Sequence, residues 1–178
     1  MPNTALLVID VQQGLFEEDP PTINAESLVA RINPLAERAR EAGAPVIYIQ
    51  DDRVGAGAAD ELLAGLKPAR GDKRMRKRHC DSFFQTNLQD ILGDAKRLVI
   101  CGCQTDQCVA ATARGAVAMG YDVEVAADAH STSDNPFMSA EKTIEFFNTW
   151  ILDGFGGDDV VGKGEHRIVV KPAAEIEF

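Results

Sequence analysis

Apolar positions along this chain follow two alternating rhythms. Short, nearly unbroken runs of Val, Ile, Leu and Ala occupy 5–11, 45–50, 96–101 and 122–126, and Asp10 alone interrupts the first. Runs of that length and composition predict strands buried on both faces. Between them the spacing shifts to the helical three-and-four pattern. It is clearest over 26–42, where Leu28, Val29, Ile32, Leu35, Ala36 and Ala39 share a face and Gly43 ends the run. Further helices are predicted over 86–92, 109–119 and 139–152, with a short helical piece over 60–66. Segments 71–77 and 167–171 predict a third and a last strand, the latter after a Gly-rich turn region at 154–164. This repeated order of strand and helix predicts an α/β protein, a mostly parallel sheet between helical layers with right-handed crossovers. Reacting groups in such folds gather beyond the carboxyl ends of the strands. The candidates so placed are Asp10, Asp51, Lys77, residues 103–108 and Asp128.

Composition narrows the class of function. A length of 178 residues predicts one domain, 1–178, with a sizeable core, and 45% apolar with 26% charged residues is ordinary for a globular protein. The first apolar run is too short and too interrupted for a signal peptide or a membrane span, so a cytoplasmic location is expected. Four cysteines, Cys80, Cys101, Cys103 and Cys108, then read as reduced thiols. A net charge of −10 argues against nucleic acid or a membrane surface as partner and favours a small-molecule substrate. Lys67, Arg70, Lys73, Arg74, Arg76, Lys77 and Arg78 break the acidic balance. Such a cluster reads as a solvated edge strand or an interaction patch, and no aromatic residue lies within it to stack a base.

Candidate chemistry centres on GCQTDQCV, 102–109, which follows an apolar run and leads into an Ala-rich helical segment. Cys108 falls in the first helical turn, with Thr105 or Asp106 as cap. Unpaired N–H groups and the helix dipole there favour a thiolate, so Cys108 is expected to lose its proton more readily than a free thiol. Taken alone it reads more readily as a small buried apolar side chain than as a nucleophile. Asp10 in an apolar strand must be paired, hydrogen-bonded or used, whether as a cap for local N–H groups or in a site. Lys77 taken alone is one more solvated lysine. Cys80 and Cys103 with His79 match no common structural zinc spacing, and Cys101 belongs to a strand core.

Three of these places recur together and in order: LVIDVQ at Leu7–Gln12, Lys77 six residues before Phe83, and GxxTxxCV ending at Val109. With FFQTNL after the lysine, ATARGAVAMGY after the cysteine and DAHSTSD from Asp128, the chain resembles the isochorismatase-like cysteine hydrolases from about residue 4 to residue 150. The resemblance implies a three-layer α/β/α fold with a six-stranded sheet of Rossmann-like order 3-2-1-4-5-6. It implies Asp10, Lys77 and Cys108 as catalytic triad, no cofactor, and a homo-oligomer, dimer or tetramer. It also implies an oxyanion hole from the backbone N–H groups of Gln104 and Cys108, with a non-proline cis peptide at Cys103–Gln104. These residue types suit thiolate attack on an amide or ureido carbonyl, with Asp10 moving the proton and Lys77 holding both anions. Asp51, Gln104 and His130, each after a strand, are candidate substrate-binding residues. Phe16 and Phe83, with Phe84, are candidates for an apolar wall, although aromatics beside a strand are more often core.

The pattern also departs from some relatives. Nicotinamidase-type relatives hold a metal on an Asp-x-His pair after the second strand, where this chain has Asp51, Asp52 and Arg53. No metal is therefore expected, and nicotinamide hydrolysis is disfavoured. Isochorismatases proper lack a thiol at the nucleophile position, so Cys108 points away from that reaction. What remains is hydrolysis of a small amide or carbamoyl C–N bond, with Arg53, Arg76 and Arg78 as candidate anchors for an anionic substrate. Three other readings stay open. They are a nicotinamidase or isochorismatase-type activity, a non-enzymatic oligomeric binding protein that keeps the fold, and a redox sensor in which Cys103 resolves an oxidised Cys108.

Overall fold

A computed structural model describes residues 3–156 and 166–178. Its strands are β1 (Thr4–Ile9), β2 (Val46–Asp51), β3 (Lys73–Lys77), β4 (Arg97–Cys103), β5 (Asp122–Ser131) and β6 (Ile168–Lys171). They form one six-stranded sheet in the order β3-β2-β1-β4-β5-β6, and every pairing is parallel. The unbroken apolar runs are the central strands, as burial on both faces requires. All six residues of β1 are buried.

Alternation along the strands divides the core. Leu7, Ile9, Ile47 and Ile49 face one layer with α2 (Leu88–Leu92), α3 (Ala110–Ala118) and Leu152. Leu6, Val8, Val46 and Tyr48 face the other, where α1 (Ala25–Glu41) presents Leu28, Ile32, Leu35, Ala36 and Ala39 and the C-terminal turn adds Ala173 and Ile176. The helical stripe read from the sequence is the buried stripe of α1. The basic segment contains the edge strand β3; Arg76 in that strand is tied to Asp52 and Asp60, and Arg78 just beyond it to Asp52.

Several boundaries differ from the sequence reading. β1 stops at Ile9 because Asp10 turns the backbone into the left-handed region at φ 49. Segment 60–66 is not helical: a 3-10 turn over Gly57–Asp60 gives way to an antiparallel bridge between Leu62 and Gln12, which holds that stretch extended. The helix predicted over 86–92 begins only at Leu88. β4 and β5 run on to Cys103 and Ser131, beyond the predicted ends, with a register shift between Ile100 and Gly102. Neither Thr105 nor Asp106 caps the helix. A wide π-helical turn over Thr105–Val109 precedes α3, and those two side chains are taken by His130 and Thr132. Segment 139–152 divides into α4 (Ala140–Phe146), with Ser139 capping the Lys142 N–H, and a second wide turn over Phe147–Leu152. Most of the predicted 154–164 turn region lies outside the described residues.

Gly102 brings the central strands together at the site. It pairs with Ile9 across β1 and β4, its φ is +118, and a Cβ there would overlap the Ile9 carbonyl oxygen. Only glycine combines that φ with so close an approach.

Candidate active site

The carboxyl ends of β1 to β4 meet at one buried ionic cluster. Lys77, the last residue of β3, pairs in register with Asp51 at the end of β2. Its side chain is fully buried, so the ammonium must find its partners inside the protein. Nζ lies 2.6 Å from Asp10 Oδ2 and 3.1 Å from Asp51 Oδ2, and donates to Cys108 Sγ at 3.1 Å. The left-handed turn at Asp10, whose N–H donates to the Ile49 carbonyl at 2.8 Å, holds its carboxylate beneath the cluster. Asp10 Oδ1 is buried without a hydrogen-bond partner. An unpaired carboxylate oxygen in a buried site is costly unless another group comes to it. Cys108 sits in the wide turn after β4, 7% exposed.

Charge in the cluster is set by burial first. Burial lifts the Asp10 carboxyl to about 6, against the pull of Lys77. Burial also disfavours the Lys77 cation, yet Asp10 and Cys108 together hold it above the ordinary lysine value. Burial, then the Asp10 carboxylate, push the Cys108 thiol up by more than Lys77 lowers it. This corrects the expectation of a thiol acidified by the helix start: the site is too deep, and too close to an anion, for the dipole to decide. At neutral pH Asp10 is ionised, Lys77 is a cation and Cys108 keeps its proton. The proton sits on sulfur, and a carboxylate oxygen of Asp10 lies within 4.8 Å of that sulfur.

Asp51 has a different environment. Burial works to raise it, but the Arg53 side chain and backbone N–H, with Lys77, bring it down to about 2. Arg53 Nε and N–H donate to Oδ1 at 2.9 and 2.8 Å. Gln12 fixes the strand end beneath: its Oε1 accepts from the Asp51 N–H at 2.7 Å and its Nε2 donates to the Asp51 carbonyl at 3.2 Å and to Asp60 Oδ1 at 3.0 Å. The sequence reading missed Gln12 as a positioning residue. Its signal was a buried amide directly after the first strand, within a motif already noted.

Above the cluster opens a cavity of about 280 Å³, smaller than most drug-sized pockets. Asp10, Asp51, Gln104 and Cys108 line it as expected, as does Arg53 alone of the three candidate arginine anchors, and Gln107 joins them. Gln104 Nε2 donates to Thr22 Oγ1 at 3.0 Å, and the Cys103–Gln104 peptide is cis. Three expected substrate-binding residues are not among the lining residues. Phe83 is 7% exposed and stacks on Tyr121 at 5.7 Å in the core. Phe16 packs on the α1 side of the sheet. His130 lies beneath the cysteine turn, with Nδ1 2.8 Å from Thr105 Oγ1 and Nε2 2.7 Å from Asn148 Oδ1, and burial lowers it to about 4. A residue following a strand by chain order need not point up from the sheet.

Asp10, Asp51 and Cys108 offer ligand atoms within 4.8 Å of one another, a set a metal ion could bridge. The Lys77 ammonium already stands in contact with all three. A metal there would confront a buried cation, so the donor set does not fit one.

The fold and site define a parallel α/β protein with a buried aspartate–lysine–cysteine cluster under a small cavity. The chain belongs to the isochorismatase family, since residues 4–144 match the isochorismatase domain. It is 38% identical over 144 residues to a streptothricin hydrolase of Streptomyces noursei, covering 76% of this chain and 57% of that protein. It is 32% identical over 164 residues to the secreted isochorismatase effector Isc1 of Verticillium dahliae, covering 86% of each. The crystal structure of N-carbamoylsarcosine amidase from Thermoplasma acidophilum superposes with a TM-score of 0.75 at 25% identity, covering all of both chains. The chain spans between 51% and 57% of the length of the streptothricin hydrolases it matches.

Proposed function

We propose that this protein is a cysteine hydrolase that cleaves an amide or carbamoyl C–N bond of a small molecule through a thioester on Cys108. The observation that carries the reading is the contact of Lys77 Nζ with both Asp10 Oδ2, at 2.6 Å, and Cys108 Sγ, at 3.1 Å, beneath the cavity. The names of two similar proteins, a streptothricin hydrolase and an N-carbamoylsarcosine amidase, agree with C–N bond hydrolysis.

In the proposed reaction Asp10 takes the Cys108 proton as sulfur bonds to the carbonyl carbon. Lys77 stabilises the developing thiolate, and the oxyanion is met by the backbone N–H groups of Gln104 and Cys108. Collapse breaks the C–N bond, and the proton on Asp10 passes to the departing nitrogen. Water, deprotonated by Asp10, then attacks the thioester carbon, and the C–S bond breaks as the proton returns to sulfur. The first half-reaction restores Asp10 and leaves Cys108 acylated, and the second frees Cys108 and returns Asp10 to its starting form. No step calls on a cofactor.

A homo-oligomer in the cytoplasm acting on a small-molecule substrate, with neither nucleic acid nor membrane as partner, completes the proposal. All four cysteines are free, in keeping with a reducing compartment. No described helix is long and apolar enough to cross a membrane. Phe137 and Trp150, 93% and 79% exposed, offer apolar surface for self-association. Ammonia release from a panel of small primary amides and ureido compounds tests the activity. The wild type turns over at least one member, and Cys108→Ala lowers that rate at least about 1000-fold. Activity that survives Cys108→Ala rules the reading out.

A further inference from the structure

We propose that Arg53 anchors a carboxylate carried by the substrate, so that the molecule cleaved at Cys108 is a small anionic amide or ureido compound. The inference rests on the triad reading above for the place of the scissile bond. A guanidinium presents more than one donor edge. Asp51 takes the edge formed by Nε and Nη2, with Nε 2.9 and 3.2 Å from its two oxygens and Nη2 2.5 Å from Oδ2. The edge formed by Nη1 and Nη2 is left over, held in place beforehand, and no described carboxylate bonds Nη1. That fork matches a carboxylate in two parallel hydrogen bonds.

The other nearby cations are already engaged. Lys77 is fully buried among Asp10, Asp51 and Cys108. Arg76 and Arg78 pair with Asp52 and Asp60 and are not among the cavity's lining residues. Arg53 does line the cavity, and its side chain is 55% exposed. Besides Asp51, Arg53 meets the Cys80 thiol, a weak acceptor that also lines the cavity. Asp51 ties the anchor to the reacting end, because one of its oxygens contacts Lys77 and one lies within 4.8 Å of the Cys108 sulfur. Guanidinium and nucleophile are thus separated by the length of a molecule of a few heavy atoms, in keeping with the small cavity. Fixing the arginine in advance lowers the entropy lost on binding. Exposed Glu18, also on the lining, disfavours a second anionic group, so one carboxylate on an otherwise uncharged body is the fit.

Calorimetric binding of N-carbamoylglycine and of its methyl ester to the full-length Cys108→Ala protein at neutral pH tests this. The acid is expected to bind at least about tenfold more tightly than the ester, and a further Arg53→Gln change to erase that preference while Arg53→Lys keeps part of it. Equal binding, no detectable binding of the acid, or a preference that survives Arg53→Gln overturns the proposal. The acid and ester are compared with Arg53 intact, so a misfolded Arg53→Gln variant leaves that arm standing. The triad reading is judged separately, by ammonia release with and without Cys108, and either result can fail without the other.

Discussion

Asp10 concentrates the chemistry of the site in a single titration. Burial holds its carboxyl near 6, so the base is ionised at neutral pH and lost below that. kcat/KM is expected to fall about tenfold per unit as pH drops through 6, and a pH profile of any hydrolysed substrate checks this. Asp10→Asn removes both the base and this limb of the profile. Stability should show the opposite face of the same shift. A carboxyl whose folded pKa lies above its unfolded value of 3.8 favours the folded state below the unfolded value, and that contribution is lost as pH rises through 6. Between those limits the wild type should lose about 3 kcal/mol relative to Asp10→Asn, measured by urea unfolding at a series of pH values. A parallel pH dependence in the two proteins would show that burial does not disfavour the Asp10 anion. Asp10 stood out as a carboxylate that breaks an apolar strand and Cys108 as a thiol at a strand-to-helix junction, yet each alone also fits a structural role, and only the recurring motif joined them. Lys77 emerged only through the motif, since its neighbours are six other cations. The partners that tune the cluster, Gln12 and Arg53, act through backbone contacts and a two-residue turn that no periodicity encodes.

Elements place these side chains, and their order follows from apolar pattern. Fully buried β1 and β2, with β4 buried past Arg97, announce a parallel sheet, and the α1 stripe announces the layer that covers one face. Element ends were less legible, because tertiary contacts decide them. A bridge to Gln12 keeps Leu62 extended, and Thr105 and Asp106 spend their side chains on His130 and Thr132 in place of a helix cap. His130 and Phe83 were expected at the cavity for the same reason: position along a strand does not say which face a side chain takes. The tightest constraint between elements is Gly102. Gly102→Ala combines a φ of +118 with a collision against the Ile9 carbonyl, and that backbone carries Asp10 one residue on. Loss of more than about 3 kcal/mol in chemical unfolding is expected, together with loss of activity. An unchanged midpoint would mean that the two strands can part there without cost.

At the scale of the whole molecule, the topology brings four strand ends from different parts of the chain to one point. A net charge of −10 over the chain coexists with a cavity whose free donor edge is cationic, so attraction of an anion is local and not a property of the surface. Phe137 and Trp150 leave large aromatic side chains exposed on the surface. Sedimentation is expected to report a dimer or tetramer, shifted toward monomer by Trp150→Glu, and a monomer in the unsubstituted protein would remove the assembly from the account. Acylation of Cys108 is checked by acid-quenching the protein during turnover of a hydrolysed amide, then measuring intact mass and mapping its peptides. An acyl group is expected on the peptide carrying Cys108 and none on those carrying Cys80, Cys101 or Cys103. Steady turnover with an unmodified Cys108, undiminished in Cys108→Ala, would contradict it.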